Sequence, residues 1–177
     1  MSSGVPISFN DSQWTHLNTP TSPPAISRDG TQISVLTEPK TDWWRTTSID
    51  SRSGVVYGFK RGVGNGFEVS VDLGIDHQVQ TGVEYHVGKL WNSVVITNPY
   101  SDWSLQPWTP SSSTRFTISL KDRILPVYLG DTMIREVHAF GQGDDTEEAL
   151  VGVMACSPLG GGVKATFQGF QMREGVR

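Results

Sequence analysis

Alternation of apolar and polar residues with a period of two is the feature that most constrains how this chain can fold. From Phe67 to Ile75 every second residue is a large apolar one, and the residues between them include Glu68, Ser70 and Asp72. Successive side chains of a β-strand point to opposite sides, so this pattern is typical of a strand buried on one face. Because the 3.6-residue period of an amphipathic helix is almost absent, the sequence predicts an all-β protein.

Candidate strands recur along the whole chain and are separated by turn residues such as Asp29-Gly30 and Asn65-Gly66. They cover residues 12–17, 24–28, 31–37, 42–48, 54–60, 66–75, 79–87, 89–97, 114–121, 124–129, 133–140, 149–156 and 163–172. Residues 151–156 are apolar at nearly every position, which predicts a central strand covered on both faces and therefore a β-sandwich. Residues 18–24 and 98–113 are predicted to be long loops, and residues 145–150 a short helix with an acidic first turn.

Length, charge and cysteine content limit the class of protein. We expect 177 residues to form a single β-sandwich domain over residues 1–177. The net charge is -4 and no basic patch is present, which argues against a nucleic-acid partner. The sequence contains no membrane span and its start lacks the apolar segment of a secretory signal. Cys156 is the only cysteine, so no intramolecular disulfide can form, and its apolar neighbours suggest a buried thiol in a cytoplasmic protein.

Tryptophans in polar surroundings indicate a recognition surface. Trp43 and Trp44 stand between Asp42 and Arg45, and Trp103 follows Asp102 in the predicted 98–113 loop. An indole needs a partner for its N–H once it leaves water, and loops on rigid sandwiches often carry recognition. The sequence predicts four ligand-binding residues here: Trp43, Arg45, Asp102 and Trp103. Trp43 and Arg45 alternate with Asp42 and Trp44, so the two indoles face opposite ways and one of them is expected to be core. An equally balanced interpretation is that Asp42 and Arg45 form a structural ion pair.

Three further ligand-binding residues are predicted on the strand from Gln78 to Val87. Gln80, Glu84 and His86 share its polar face, and the glycine at position 82 leaves room for a ligand to approach the backbone. A glutamate beside an imidazole could also act as an acid and base pair. A solvated strand face is the alternative, and no residue is assigned a catalytic role.

Other chemistries find less support in the sequence. Glu68 and Asp72 share a strand face, but four residues of strand place their Cα atoms about 13 Å apart, whereas a retaining glycosidase needs carboxyl groups about 5 to 5.5 Å apart. The four histidines lack the spacing of a metal site, so no metal and no cofactor is predicted.

Four blocks, in order, carry a resemblance to a known family: Thr41-Asp-Trp-Trp-Arg-Thr-Thr47, Thr81-Gly-Val-Glu-Tyr85, Ser93-Val-Val-Ile-Thr97 running into Tyr100-Ser-Asp-Trp-Ser104, and Gly152-Val-Met-Ala-Cys-Ser-Pro158. In these blocks the chain resembles the regulation-of-enolase and YesU-like family. The resemblance implies a concanavalin A-like jelly roll of two antiparallel sheets, a fold shared by lectins and glycan-active enzymes, in a family of poorly defined activity.

The chain departs from that family before residue 85. Gln78 and Gln80 stand where the family prefers Trp and Lys, and a strand is missing ahead of Gln78. Loss of a strand could leave an unpaired sheet edge that recruits a second copy, so a homodimer is one expected state.

Two classes of function follow from these residues. The first is a lectin-like, non-catalytic protein that binds a sugar or a sugar-like small metabolite. The second is an enzyme, either glycan-active or a small-molecule isomerase or cyclase of a specialised pathway, that holds a reactive conformer in an apolar pocket. A regulatory protein that binds a metabolic enzyme is the third alternative. We favour binding, because no acid, base or nucleophile constellation is evident.

Overall fold

The structure is a computed structural model that describes residues 4–75, 83–86, 89–97, 100–107, 115–138, 140, 147–160 and 162–176. Within these ranges the regular structure is entirely β, as the alternation predicts. The strands are β1 (Val5–Pro6), β2 (Thr15–Leu17), β3 (Ala25–Ile26), β4 (Gln32–Leu36), β5 (Trp43–Arg45), β6 (Asp50–Arg52), β7 (Val55–Gly62), β8 (Phe67–Ile75), β9 (Val83–His86), β10 (Lys89–Thr97), β11 (Ser101–Pro107), β12 (Arg115–Leu120), β13 (Leu125–Leu129), β14 (Thr132–Val137), β15 (Glu148–Ala155) and β16 (Lys164–Glu174).

An eight-stranded antiparallel sheet forms one layer of the sandwich. Its order is β14-β13-β12-β8-β16-β4-β3, and β1 pairs with β16 in addition. A second sheet has the order β15-β7-β2, a third the order β11-β10-β9, and β5 and β6 form a hairpin. The architecture is a jelly-roll β-sandwich, as predicted.

The core lies between the eight-stranded sheet and the β15-β7-β2 sheet. The alternating residues Phe67, Val69 and Leu73 of β8 are buried, and they belong to the same cluster as Tyr57 of β7 and Val153 of β15. Burial of each such side chain contributes about 1.5 to 3 kcal/mol. The period-two pattern therefore folds into two layers that bury the apolar side of each strand.

Two predicted elements are wrong. Residues 98–113 are not one loop, because Ser101–Pro107 is β11 and pairs with β10 over its whole length. The predicted helix over 145–150 is wrong at its end, because Glu148 begins β15 opposite Gly62 of β7. In both places cross-strand pairing overrides a local signal. That signal is the serine and proline content of residues 98–113 and the acidic residues of 145–150.

β15 is not covered on both faces. Val151, Val153 and Ala155 are buried, but Leu150 and Met154 on the other side are 49% and 38% exposed. The apolar composition of this strand therefore reflects one core face and one apolar face that lies in solvent. Cys156, predicted to be buried, is half-buried at the end of the strand.

Candidate functional site

The β5–β6 hairpin carries the two adjacent tryptophans that the sequence singles out. Trp43 and Trp44 are neighbours on β5 and therefore point to opposite sides of it. The Trp43 indole N–H donates to the carbonyl oxygen of Gly54 at 2.9 Å, just before β7. This bond satisfies the polar atom of a half-buried indole and fixes the hairpin to the core sheet.

Trp44 makes an edge-to-face contact with Trp103 of β11. The ring centroids are 6.2 Å apart and the planes meet at 82°, the T-shaped geometry that aromatic pairs favour. The Arg45 backbone N–H donates to Ser101 Oγ at 2.9 Å, which ties β5 to the start of β11. We call Trp44 and Trp103 the tryptophan pair.

Trp103 combines this fixed geometry with solvent exposure. It is 39% exposed, in contrast to the core tryptophan Trp14 at 7%, and Val95, opposite it on β10, is 41% exposed. Trp103 therefore keeps part of its side chain in solvent beside Trp44. The pair thus forms a small apolar surface held in place from two strands.

Arg45 and Asp102, both predicted as ligand contacts, each lie beside an oppositely charged side chain. Arg45 Nε lies 3.8 Å from Asp50 Oδ2, so its acidic neighbour is Asp50 rather than the expected Asp42. Arg52 binds the same carboxylate at 2.9 Å, and its hydrogen bond is the main reason that the pKa of Asp50 lies below its usual value.

Asp102 lies on the opposite face of β11 from Trp103. Its carboxylate accepts from Arg135 Nη2 of β14 at 2.7 Å. The two neighbours therefore do not form one site, and the ion pair connects β11 to the eight-stranded sheet. Arg135, which the sequence did not single out, is 33 residues from Asp102, and only the fold brings the two together.

The register relates the other predicted residues to the tryptophan pair. Glu84 and His86 lie on β9 opposite Trp91 and Lys89 of β10, which also pairs with β11. These positions fall on the same face of the β11-β10-β9 sheet as Trp103. Glu84 and Trp103 are four residues apart along β10, or about 13 Å, and two strand spacings apart, or about 10 Å. They lie near opposite ends of one face, and Gln80 lies outside the described residues.

A cavity of about 260 Å³, whose lining does not include the tryptophan pair, lies between two hairpin turns and Val176. Its lining residues are Val63, Gly64, Asn65, Gly66, Asp122, Arg123 and Val176. Among the residues that the structure describes, no three His, Cys, Asp or Glu side chains gather as a metal site would require. In the same residues no helix has the length and apolarity to cross a membrane.

Comparison with known proteins gives a family and a fold relative. The family DUF1349, described as a protein of unknown function, matches residues 73–175. The crystal structure of a functionally unknown protein from Saccharomyces cerevisiae is similar, with a TM-score of 0.72 and 26% sequence identity. The alignment covers 94% of this chain and 98% of the yeast chain. None of the curated proteins matches this chain.

Proposed function

We propose that this chain, which belongs to the DUF1349 family of proteins of unknown function, is a lectin-like, non-catalytic binding protein for a sugar or a sugar-like small metabolite. The observation that carries the proposal is Trp103, an indole that keeps 39% of its surface in solvent while Trp44 holds it edge-on. The proposal also includes the finer resemblance to regulation-of-enolase and YesU-like proteins, because the fold that this resemblance implies is shared by lectins.

The physical reason lies in the amphipathic character of sugar rings. One face of a pyranose presents C–H groups, which pack on an indole face, while the hydroxyl groups at its rim bind polar atoms. Trp103 and Val95 supply the apolar surface, and Tyr100, which is 50% exposed just before β11, offers a polar group for the rim. A shallow, rigid aromatic surface of this kind supports binding rather than chemistry.

A binding assay with matched variants tests the proposal. Isothermal titration of the full chain with methyl glycosides of glucose, mannose and galactose should reveal at least one ligand, and a ligand at 100 times its Kd should stabilise the fold by about 2.7 kcal/mol. Trp103→Ala should weaken binding at least about tenfold. Leu159→Ala, which truncates a side chain that is 97% exposed elsewhere, should leave Kd unchanged.

Two results would contradict the proposal. One is the absence of any glycoside binding at millimolar concentration. The other is binding that Trp103→Ala leaves intact, because the tryptophan pair would then have no part in recognition. A cytoplasmic location is also proposed, since a chain with one cysteine fits a reducing compartment, and fractionation of cells tests it.

A further inference from the structure

A second group of polar side chains lies on the eight-stranded sheet, on the face away from the core. The alternation of β8 that buries Phe67, Val69 and Leu73 turns Ser70 and Asp72 outward. The register sets Arg115 of β12 opposite Asp72, and on the other side it sets Gln168 and Gln171 of β16 opposite Asp72 and Ser70. We call Ser70, Asp72, Arg115, Gln168 and Gln171 the Arg115 face.

Arg115 holds this face in one arrangement. Its guanidinium donates to Asp72 Oδ2 at 2.6 Å, to Gln171 Oε1 at 2.9 Å and to the Ser70 hydroxyl. The Arg115 and Asp72 side chains are 30% and 32% exposed, so the ion pair is accessible from solvent. Charge-assisted bonds to three acceptors on two strands preorganise the donors and acceptors.

The face keeps hydrogen-bonding capacity for a ligand. Within the described ranges, the Gln171 amide nitrogen, the Gln168 amide and the second oxygen of Asp72 make no hydrogen bond to protein side chains. A carboxylate can accept several hydrogen bonds, and each amide nitrogen can donate two. Hydrogen-bond acceptors and donors that protein side chains do not use therefore lie next to each other on the Arg115 face.

A bulge in β16 opens the approach to these groups. Gln168 pairs with Asp72 and Gln171 with Ser70, so β16 has one extra residue here. Gly169 lies in the left-handed region at φ 63°, and its N–H donates to the Thr31 carbonyl oxygen at 3.0 Å. A Cβ at Gly169 would stand 3.3 Å from Asp72 Oδ2 and 3.9 Å from Arg115 Nη1. Its absence leaves the ion pair uncovered on that side.

We infer that the Arg115 face is a second ligand site, which binds vicinal hydroxyl groups of a polyhydroxylated molecule. A diol donates to the free oxygen of Asp72 and accepts from the Gln168 and Gln171 amides, so it satisfies both kinds of group. The Asp72 carboxylate would repel an anion, and the Arg115 guanidinium would repel a cation. The inference takes its ligand class from the proposed function but shares no residue with the tryptophan pair.

Amide NMR of the full chain tests both sites in one titration. The probes are methyl α-D-mannopyranoside, methyl α-D-glucopyranoside and methyl β-D-galactopyranoside, with tetrahydropyran as the same ring without hydroxyl groups and sodium phosphate as an anion. For at least one glycoside we expect saturable shifts of the Gly169 backbone amide and of the Gln168 and Gln171 side-chain amides. Tetrahydropyran and phosphate should not shift them. The indole N–H signals of Trp44 and Trp103 report the tryptophan pair separately.

Variants on this face give the second readout. Asp72→Asn keeps the shape and removes the charge, and Gln171→Ala removes an amide donor; each should weaken binding at these amides at least about tenfold. Glu68→Gln is the matched control, because Glu68 is an outward carboxylate of the same strand that pairs with Arg173 instead, and it should change Kd less than about twofold.

Three outcomes overturn the inference. The first is glycoside shifts at the indoles alone, a result that would leave the proposed function standing. The second is equal shifts with tetrahydropyran or phosphate. The third is glycoside binding that survives both Asp72→Asn and Gln171→Ala. Shifts at the Arg115 face alone would instead support the inference and contradict the tryptophan pair as the sugar site.

Discussion

Trp43 lies over Gly54 and donates its indole N–H to the Gly54 carbonyl oxygen at 2.9 Å. The same oxygen accepts from Asn18 Nδ2 at 3.0 Å, so two separate segments bind the residue that precedes β7. This relationship separates the roles of the two adjacent tryptophans. Trp43 fixes the β5–β6 hairpin to the core sheet, and Trp44 is thereby turned toward Trp103.

Gly54→Ala should destabilise the fold by disturbing that contact. A Cβ at this position would lie 2.6 Å from Trp43 Cδ1 and 2.8 Å from Cys156 Cβ, well inside van der Waals distance. We expect the free energy of unfolding, measured in urea, to fall by about 1 to 3 kcal/mol. Gly62→Ala, at the far end of β7, is the control, because its Cβ would meet no atom within 4 Å. Equal stability of the two variants would contradict the packing role of Gly54.

The alternation in the sequence was enough to predict the strands that face the core. Of the inward residues predicted in β8, Phe67, Val69 and Leu73 are buried and Val71 is partly buried against the core. A strand has only two faces, so a period of two determines which side chains turn inward once one face is covered. Short strands such as Val5–Pro6 and Asp50–Arg52 were not predicted, because two or three residues contain too little pattern to distinguish strand from loop.

Pairing partners could not be predicted in the same way. The serine and proline around Trp103 predict a loop, yet β10 provides a partner for seven consecutive residues. The apolar composition of its strand predicts that Met154 is covered, yet it lies in a row with Val56 and Leu17 on an exposed face. Local composition does not report which strand lies alongside, nor whether another layer covers the outer face.

The candidate site was predictable as a set of residue types but not as an arrangement. The sequence indicated that Trp43 and Trp44 face opposite ways, but the side that meets solvent depends on Gly54 and on Trp103. Asp102 and Trp103 face opposite sides because residues 101–107 form a strand, and only the fold brings Arg135 to Asp102. Each of these contacts joins residues distant in sequence, which a local pattern cannot encode.

Truncation of Trp14 and of Trp103 should have opposite consequences. Trp14 is 7% exposed, its ring centroid lies 4.7 Å from Phe59 and 5.0 Å from Tyr57, and its N–H donates to the Ser8 carbonyl oxygen. Trp14→Ala should therefore lower the free energy of unfolding by about 3 to 5 kcal/mol. Trp103→Ala should lower it by about 1 kcal/mol or less while reducing glycoside affinity. A loss at Trp103 as large as at Trp14 would assign Trp103 to the core.

The Asp29 carboxylate should stabilise the fold at neutral pH, and this contribution should be lost in acid. The Ser27 hydroxyl, followed by the backbone and hydroxyl of Thr31, donates to its carboxylate and lowers its pKa from 3.8. The pKa of Asp29 is therefore lower in the folded state than in the unfolded state. The stability that this difference contributes is complete above the unfolded-state pKa and is lost as the pH falls through the folded-state pKa. When unfolding in urea is measured at a series of acidic pH values, the free energy of unfolding of Asp29→Asn should fall less steeply with decreasing pH than that of the wild type.

The cause of this shift can be checked in the same turn. Ser27→Ala removes the largest contribution, so the Asp29 pKa, read from its carboxyl carbon by NMR, should move back toward 3.8. Titration of wild-type Asp29 at or above that value would contradict the hydrogen-bonding account.

Tyr57 should produce the corresponding effect in alkali. Its ring is buried, its hydroxyl donates to the Phe9 carbonyl oxygen at 3.1 Å, and burial raises its pKa above 10.0. Below about pH 10 the phenol is neutral in both states and the stability is complete. At higher pH the phenol ionises first in the unfolded state, so the free energy of unfolding falls until the pH reaches the pKa of the folded state.

Tyr57→Phe removes this titration together with one hydrogen bond. At neutral pH we expect a loss of about 0.5 to 1.5 kcal/mol, because the Phe9 carbonyl loses its partner. Between about pH 9 and 11 the variant should lose less stability than the wild type, so the two urea midpoints converge. Tyr128→Phe, which removes the phenol of a half-buried tyrosine on β13, is the matched control. Parallel curves for wild type and Tyr57→Phe would show that the phenol titrates alike in the folded and unfolded chain, contrary to its burial against Trp14.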